Sequence, residues 1–198
     1  MLQYFHMKIG ITLTSSLSVG QEYIDLTRTV AQTLAREGFG VVYGGTEYGM
    51  MAELAISYKE ANGKELVGVM SEELKSVTKG YKAFENLDKA IWTNQMGERV
   101  RTIIDNSDGF IILPGGYGTL EELMSIIGGK ANKIYDKPIV ILNYNHYYDT
   151  LFAFFDEMQQ KQFSKINIRE LVHVSETPND IVNYFNSYFP TVLPDKFV

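Results

Sequence analysis

Asp108-Gly109-Phe110-Ile111-Ile112-Leu113-Pro114-Gly115-Gly116-Tyr117-Gly118-Thr119-Leu120-Glu121-Glu122-Leu123-Met124 is the stretch whose reading decides the fold. Its apolar run, Phe110 to Leu113, is β-branched in the middle and stops abruptly at Pro114, the signature of a fully buried strand in a parallel sheet. Three glycines within four positions, Gly115, Gly116 and Gly118, then leave no side chain between the main chain and a ligand. Thr119, with Glu122 three residues later, forms the pair expected where a helix begins. Strand, glycine turn and helix N-terminus in that order aim free backbone N–H groups and the positive end of a helix dipole at one point, which attracts phosphate.

Neither of the two common phosphate loops is present. A Walker loop needs Lys and then Ser or Thr after its last glycine, whereas Thr119 follows Gly118 directly. The G-x-G-x-x-G dinucleotide fingerprint is not supplied by Gly115-Gly116-Tyr117-Gly118-Thr119 either. The turn has room for one phosphate or a small anion.

Composition bounds the partners. The 198 residues are 45% hydrophobic and 21% charged, which reads as one globular domain, residues 1–198, able to bury about 70% of its unfolded surface. A net charge of -6 argues against a nucleic-acid surface. The absence of cysteine removes disulfides and thiolate metal sites. His6, His146 and His173 share no ligand spacing, so no metal and no cofactor is expected. No apolar run approaches the ~20 residues of a membrane span, and no signal peptide opens the chain, so the expected compartment is the cytoplasm. Met1 to His6 reads as an extension ahead of the first strand.

Outward from the central motif, apolar runs alternate with amphipathic ones. Strands are expected at Lys8–Leu13, Phe39–Tyr43, Glu65–Met70, Pro138–Leu142 and Leu171–Val174. Helices are expected at about 20–37, 48–61, 94–106, 120–130, 148–162 and 179–188. Gly44 and Gly45 make a second strand, glycine turn and helix junction, and Thr14 to Ser18 a polar loop after the first strand. Residues 71–91, charged and without period, read as a loop or short irregular helix. In the helix at 94–106, Met96, Val100, Ile103 and Ile104 form the apolar arc, and Arg99 lies about 40° outside Ile103, on the border of the buried side. The alternation implies a doubly wound α/β fold, a mostly parallel sheet with helices on both faces, whose ligands bind outside the carboxyl ends of the strands.

Pro114-Gly115-Gly116-Tyr117-Gly118-Thr119-Leu120-Glu121-Glu122 resembles the P-G-G-x-G-T-x-x-E signature of the LOG family, the cytokinin riboside 5'-monophosphate phosphoribohydrolases, once labelled "possible lysine decarboxylase". Met96-Gly97-Glu98-Arg99 is similar to that family's M-x-E-R-K element and Tyr43-Gly44-Gly45 to its Y-G-G-G turn; the similarity runs over most of residues 8–187. The resemblance implies a Rossmann-like domain that forms a homodimer and hydrolyses the N-glycosidic bond of a nucleoside 5'-monophosphate to free base and ribose 5-phosphate. On that reading Arg99 and Glu122 are catalytic, and Gly44, Gly45, Met96, Gly115, Gly116, Tyr117, Gly118, Thr119 and Glu121 bind the substrate. Three positions depart from the pattern: Thr46 and Ala52 stand where glycines are expected, and Val100 where a lysine is.

The chemistry suits those residue types. Breaking a ribosyl C–N bond develops positive charge on the sugar, which a carboxylate can favour while it orients or deprotonates a water. An arginine can pair with phosphate or align the carboxylate. Plainer readings stand beside these. Glu122 is equally suited to be the capping partner of Thr119, Glu121 to be a solvated first-turn acid, and Arg99 to be a surface arginine with a buried stem. Trp92 and the tyrosines suit the core or an interface. A carrier that holds an anion on the glycine turns without hydrolysing it, similar to molybdenum cofactor carriers, is the alternative function. A decarboxylase working through a lysine Schiff base ranks last, because neither glycine turn holds a lysine.

Overall fold

Alternate residues of each central strand bury against opposite layers. Ile111 and Leu113 join a cluster with Ile9, Ile11 and Val140, whereas Phe110 and Ile112 join another with Leu123, Ile126 and Ile141. Near-continuous apolar runs are what a strand covered on both faces requires. The computed structural model describes residues 7–190 and 192–195, so the extension expected at Met1 to His6 lies outside the described residues.

Among the described residues seven strands make one parallel sheet: β1 (Lys8–Thr12), β2 (Gly40–Tyr43), β3 (Leu66–Ser71), β4 (Lys89–Thr93), β5 (Gly109–Ile112), β6 (Ile139–Leu142) and β7 (His173–Ser175). Their spatial order is β4-β3-β2-β1-β5-β6-β7. The helices are α1 (Gln21–Arg36), α2 (Gly49–Glu60), α3 (Glu72–Val77), α4 (Met96–Asp105), α5 (Tyr117–Ala131), α6 (Asp149–Gln160), α7 (Ile168–Leu171) and α8 (Ile181–Ser187). Helices α1, α2 and α8 supply the layer on one face; α4, α5, α6 and α7 supply the other. This is the doubly wound α/β class expected from the alternation. Among the described residues no helix is long and apolar enough to cross a membrane.

The strand order reverses at β1, whose neighbours are β2 on one side and β5 on the other, with Ile11 opposite Ile111 and Thr12 opposite Ile112. Such a switch point opens a crevice at the carboxyl ends. The Thr14–Ser18 loop and the Pro114–Gly116 turn leave the sheet on either side of it.

Residues 71–91 correct the sequence reading. They hold helix α3, with Ser71 Oγ accepting from the Leu74 amide at 3.3 Å, and the first residues of β4, which pairs with β3 from Val67↔Lys89 to Ser71↔Thr93. As an edge strand β4 leaves Lys89, Ala90 and Trp92 exposed, and its apolar run, Ala90 to Trp92, is too short to read as a strand. The loop between them is fastened over the end of β2: the Phe84 amide donates to the Gly45 carbonyl at 2.8 Å and Glu47 N–H to Lys82 at 3.2 Å. Near the C-terminus, Leu171 ends the short helix α7 instead of starting a strand. An Asn167–Glu170 capping box, four residues of helix and no periodicity explain why it escaped the pattern.

Ile111 is fully buried on β5, an interior strand of the sheet between β1 and β6. Ile111→Ala is expected to cost about 2–5 kcal/mol, from lost transfer energy and the cavity left behind, read as a lowered midpoint with unchanged slope in urea unfolding.

Candidate functional site

Helix α5 begins earlier than the Thr119 cap predicts. Its N-cap is Gly116, extended at φ -92° and ψ -153°, with no side-chain cap, and its first residue is Tyr117. Thr119 is therefore already in the first turn, and its side chain folds back on the glycine turn: a Cβ on Gly115 would stand 2.1 Å from Thr119 Oγ1. Gly115 is required by that approach. The capping-box reading of Thr119 and Glu122 is thereby corrected, because Glu122 sits one turn deeper and turns inward.

Two tyrosines hold the carbonyls of the turn. Tyr148 Oη donates to Leu113 at 2.7 Å and Tyr147 Oη to Gly115 at 2.8 Å. Burial raises the Tyr148 pKa, so it remains a neutral donor. The carbonyls are thereby engaged, while the first amides of α5 have no partner within the helix. Beside them lies a recess of about 220 Å³ lined by Thr14, Ser16, Tyr23, Met50, Gly115 and Gly116, among others. A larger hollow of about 770 Å³ lies between Met158, Phe163 and Pro194. It sits where α5 and α6 end, at the amino edge of the sheet, far from the glycine turn, so its size says nothing about the chemistry here.

Glu122 meets Arg99 across the α4–α5 boundary. Arg99 Nη1 donates to Glu122 Oε1 at 2.7 Å, with Arg99 5% and Glu122 4% exposed. Arg99 Nε donates to the Val69 carbonyl at 2.9 Å. The guanidinium thus reaches from the end of β3, past β2, to α5. A surface arginine with a buried stem is not what the chain contains: the charged end is buried too. Burial raises the Glu122 pKa, and the charge and hydrogen bond of Arg99 oppose that rise. Taking two charges out of water costs several kcal/mol per ion, so a buried pair is a poor device for stability alone and points to function.

The other candidate residues are distributed around this pair. Gly44 and Gly45 are buried at the end of β2, next to Arg99 and Met70 respectively. Met96 opens α4, its amide held by Glu73 Oε2 at 2.8 Å. Gly116, Tyr117, Gly118 and Glu121 are exposed, Tyr117 being 93% so. Glu121 is a solvated acid of α5. Among the departures from the pattern, Thr46 is buried and donates to Met51 Sδ at 3.2 Å, and Val100 packs with Ile104 and Leu123. Sequence reasoning missed Tyr147 and Tyr148, although an aromatic pair just past a strand's carboxyl end was a usable signal. Among the described residues it also missed three buried hydroxyls without a partner, those of Thr12, Tyr43 and Tyr81; Thr12 and Tyr43 end strands β1 and β2, at the edge where ligands bind.

Sheet order, crevice and buried pair together define a doubly wound α/β protein with its polar machinery at the switch point. Comparison with known proteins narrows this. Residues 49–185 match the family described as "Possible lysine decarboxylase", and the chain belongs to that family. Curated relatives include a cytokinin riboside 5'-monophosphate phosphoribohydrolase of Arabidopsis thaliana, 33% identical over 185 residues, covering 92% of this chain and 78% of that one. A probable enzyme of the same name from Oryza sativa subsp. japonica is 29% identical over 192 residues, covering 96% and 74%. Solved structures of similar fold include the molybdenum cofactor binding protein of Rippkaea orientalis, with TM-score 0.69, 20% identity and coverage of 93% and 98%. The molybdenum cofactor carrier protein of Chlamydomonas reinhardtii follows at TM-score 0.66, 18% identity and coverage of 92% and 97%.

Removing one partner of the buried pair leaves the other uncompensated. Arg99→Ala is expected to cost about 3–5 kcal/mol, whereas the apolar replacement Arg99→Met with Glu122→Leu recovers most of that loss. Chemical denaturation of the two proteins checks the difference.

Proposed function

We propose that this chain hydrolyses the N-glycosidic bond of a nucleoside 5'-monophosphate, of the AMP or cytokinin riboside monophosphate type, releasing free base and ribose 5-phosphate. The observation that carries the reading is the buried Arg99–Glu122 pair, set one helical turn behind the open amides of α5. Phosphate would rest on the amides from Gly116 to Thr119, where the helix dipole favours an anion. Glu122 lies five residues into the helix from Tyr117, about 7.5 Å along its axis, a span suited to the ribose of a nucleotide held at that end.

In the reaction the C1'–N bond breaks with its electron pair leaving on the base, and a water oxygen bonds to C1'. Glu122, with Oε1 held by Arg99, presents its other oxygen to take the water proton and to favour the oxocarbenium-like sugar. That proton then passes to the departing base nitrogen. Arg99 keeps the carboxylate ionised against the pull of burial. Gly45, Met96, Tyr117 and Glu121 would complete the walls around the nucleotide. Relatives named as phosphoribohydrolases at about 30% identity support this reading. The alternative, a carrier that binds without hydrolysis, is favoured by the solved carrier structures of similar fold. Neither glycine turn supplies an amine for Schiff-base decarboxylation. The fully buried lysine among the described residues, Lys130, lies about 20 Å along α5 from Tyr117, bonded to Tyr188 Oη at 2.8 Å.

A homodimer belongs to the same proposal. A groove of about 350 Å³ between α4 and α5 is walled by Val100, Ile104 and Ile134, and the exposed Ile134 and Met124 stand on the same layer. A second copy would cover them.

Purified protein incubated with AMP or its isopentenyl derivative is expected to release free base. Glu122→Ala should lower that rate by about 10²–10⁴ at unchanged fold. A folded protein that releases nothing yet melts higher with nucleotide present is instead a carrier. Because Glu122 must be ionised and burial raises its pKa, activity should fall on acidification at a pH above the ordinary glutamate range near ~4.3. The acid limb of the pH–rate profile gives the value.

A further inference from the structure

Gly44 is a glycine without a backbone reason to be one. Its neighbour Gly45 has φ +73° and its Cβ would also strike Met70 Sδ, so a side chain there is strained twice over; Gly44 is not among the residues of positive φ. What Gly44 lacks room for is a specific group. A Cβ built on it would stand 2.1 Å from Arg99 Nη2, with Met51 Cε at 2.9 Å and Met51 Sδ at 3.1 Å behind. The guanidinium is tied at its other nitrogens, Nε to the Val69 carbonyl and Nη1 to Glu122. Its third nitrogen, Nη2, occupies the space that a side chain at position 44 would need, with Met51 closing the seat.

We propose that Gly44 is a positioning residue, which serves the site through Arg99 by leaving the space that lets the guanidinium reach Glu122. This rests on the hydrolase reading for its catalytic consequence, though not for its geometry. An alanine at 44 displaces Nη2; the planar guanidinium moves as one body, so the bond to Glu122 Oε1 lengthens and the carboxylate loses the charge that opposes its protonation.

The test is a double-mutant cycle combined with kinetics. Wild type, Gly44→Ala, Arg99→Ala and the double variant are compared by thermal unfolding, and Glu122 is titrated by ¹³C NMR of labelled glutamate. Gly44→Ala should lower the melting temperature by several degrees when Arg99 is present and by almost nothing in the Arg99→Ala background. It should also move the Glu122 titration to higher pH. With AMP as substrate, kcat should fall about 10–100-fold while KM stays within about threefold. Equal destabilisation in both backgrounds, or an unmoved titration, overturns the inference, because a turn that merely dislikes alanine behaves that way. A loss carried by KM alone overturns it too, since Gly44 would then touch the nucleotide. If wild type releases no base, the hydrolase reading fails while the cycle and the titration still decide the seat; if Glu122→Ala is inactive but Gly44→Ala matches wild type in every readout, only this inference fails.

Discussion

A charged pair shut away from water needs every donor and acceptor around it placed, and the Arg99–Glu122 contact organises the carboxyl edge of the sheet on those terms. The guanidinium has a backbone carbonyl from β3, a carboxylate from α5 and a glycine from the end of β2. Elements distant in sequence therefore converge on one side chain. Shifting any of them strands a charge in an apolar layer, which costs more than most single packing defects.

The scaffold accepts such a demand because its two apolar layers are anchored elsewhere. Strands β1, β5 and β6 bury both faces, so their register is fixed by packing and not by the polar edge. Loops at the carboxyl ends can then be shaped for binding. In the glycine turn after β5 the carbonyls of Gly115 and Leu113 are occupied by Tyr147 and Tyr148, and the first amides of α5 have no partner within the helix. The burial that keeps Tyr148 neutral keeps it a donor.

Much of this was legible in the residues. Phe110–Leu113 announced a buried parallel strand, and the alternation around it gave the doubly wound class, though not the order of the strands. The signature around Gly115 and the Met96–Arg99 element placed Glu122 and Arg99 in one family pattern before any geometry was known. Other features left no trace in pattern. Strand β4 exposes Lys89 and Trp92, so hydrophobic periodicity had nothing to detect there. Glu122 looked like a cap partner because three residues separate it from Thr119. The glycines let the helix start at Tyr117, so the supposed cap became a first-turn residue. Arg99 looked amphipathic because helical phase measures direction from an axis, not depth; its burial is set by Gly44 and Val69, remote in sequence.

Family patterns compress physical requirements of different kinds into one string. Gly115 answers to Thr119, Gly45 to its own positive φ and to Met70, and Gly44 to a guanidinium. Thr46 and Val100 show the converse. The first is buried with its hydroxyl on Met51 and the second packs with Leu123, so where the pattern expects glycine and lysine this chain has put a buried hydrogen bond and an apolar contact. A glycine that serves a neighbouring charge is tied to that charge: it can be lost when the charge is lost, whereas one required by its own dihedral angle cannot. The residues to compare across relatives are therefore pairs, position 44 with position 99 and position 115 with position 119, and the coupling between members of a pair is the quantity that separates a seat from a ligand loop.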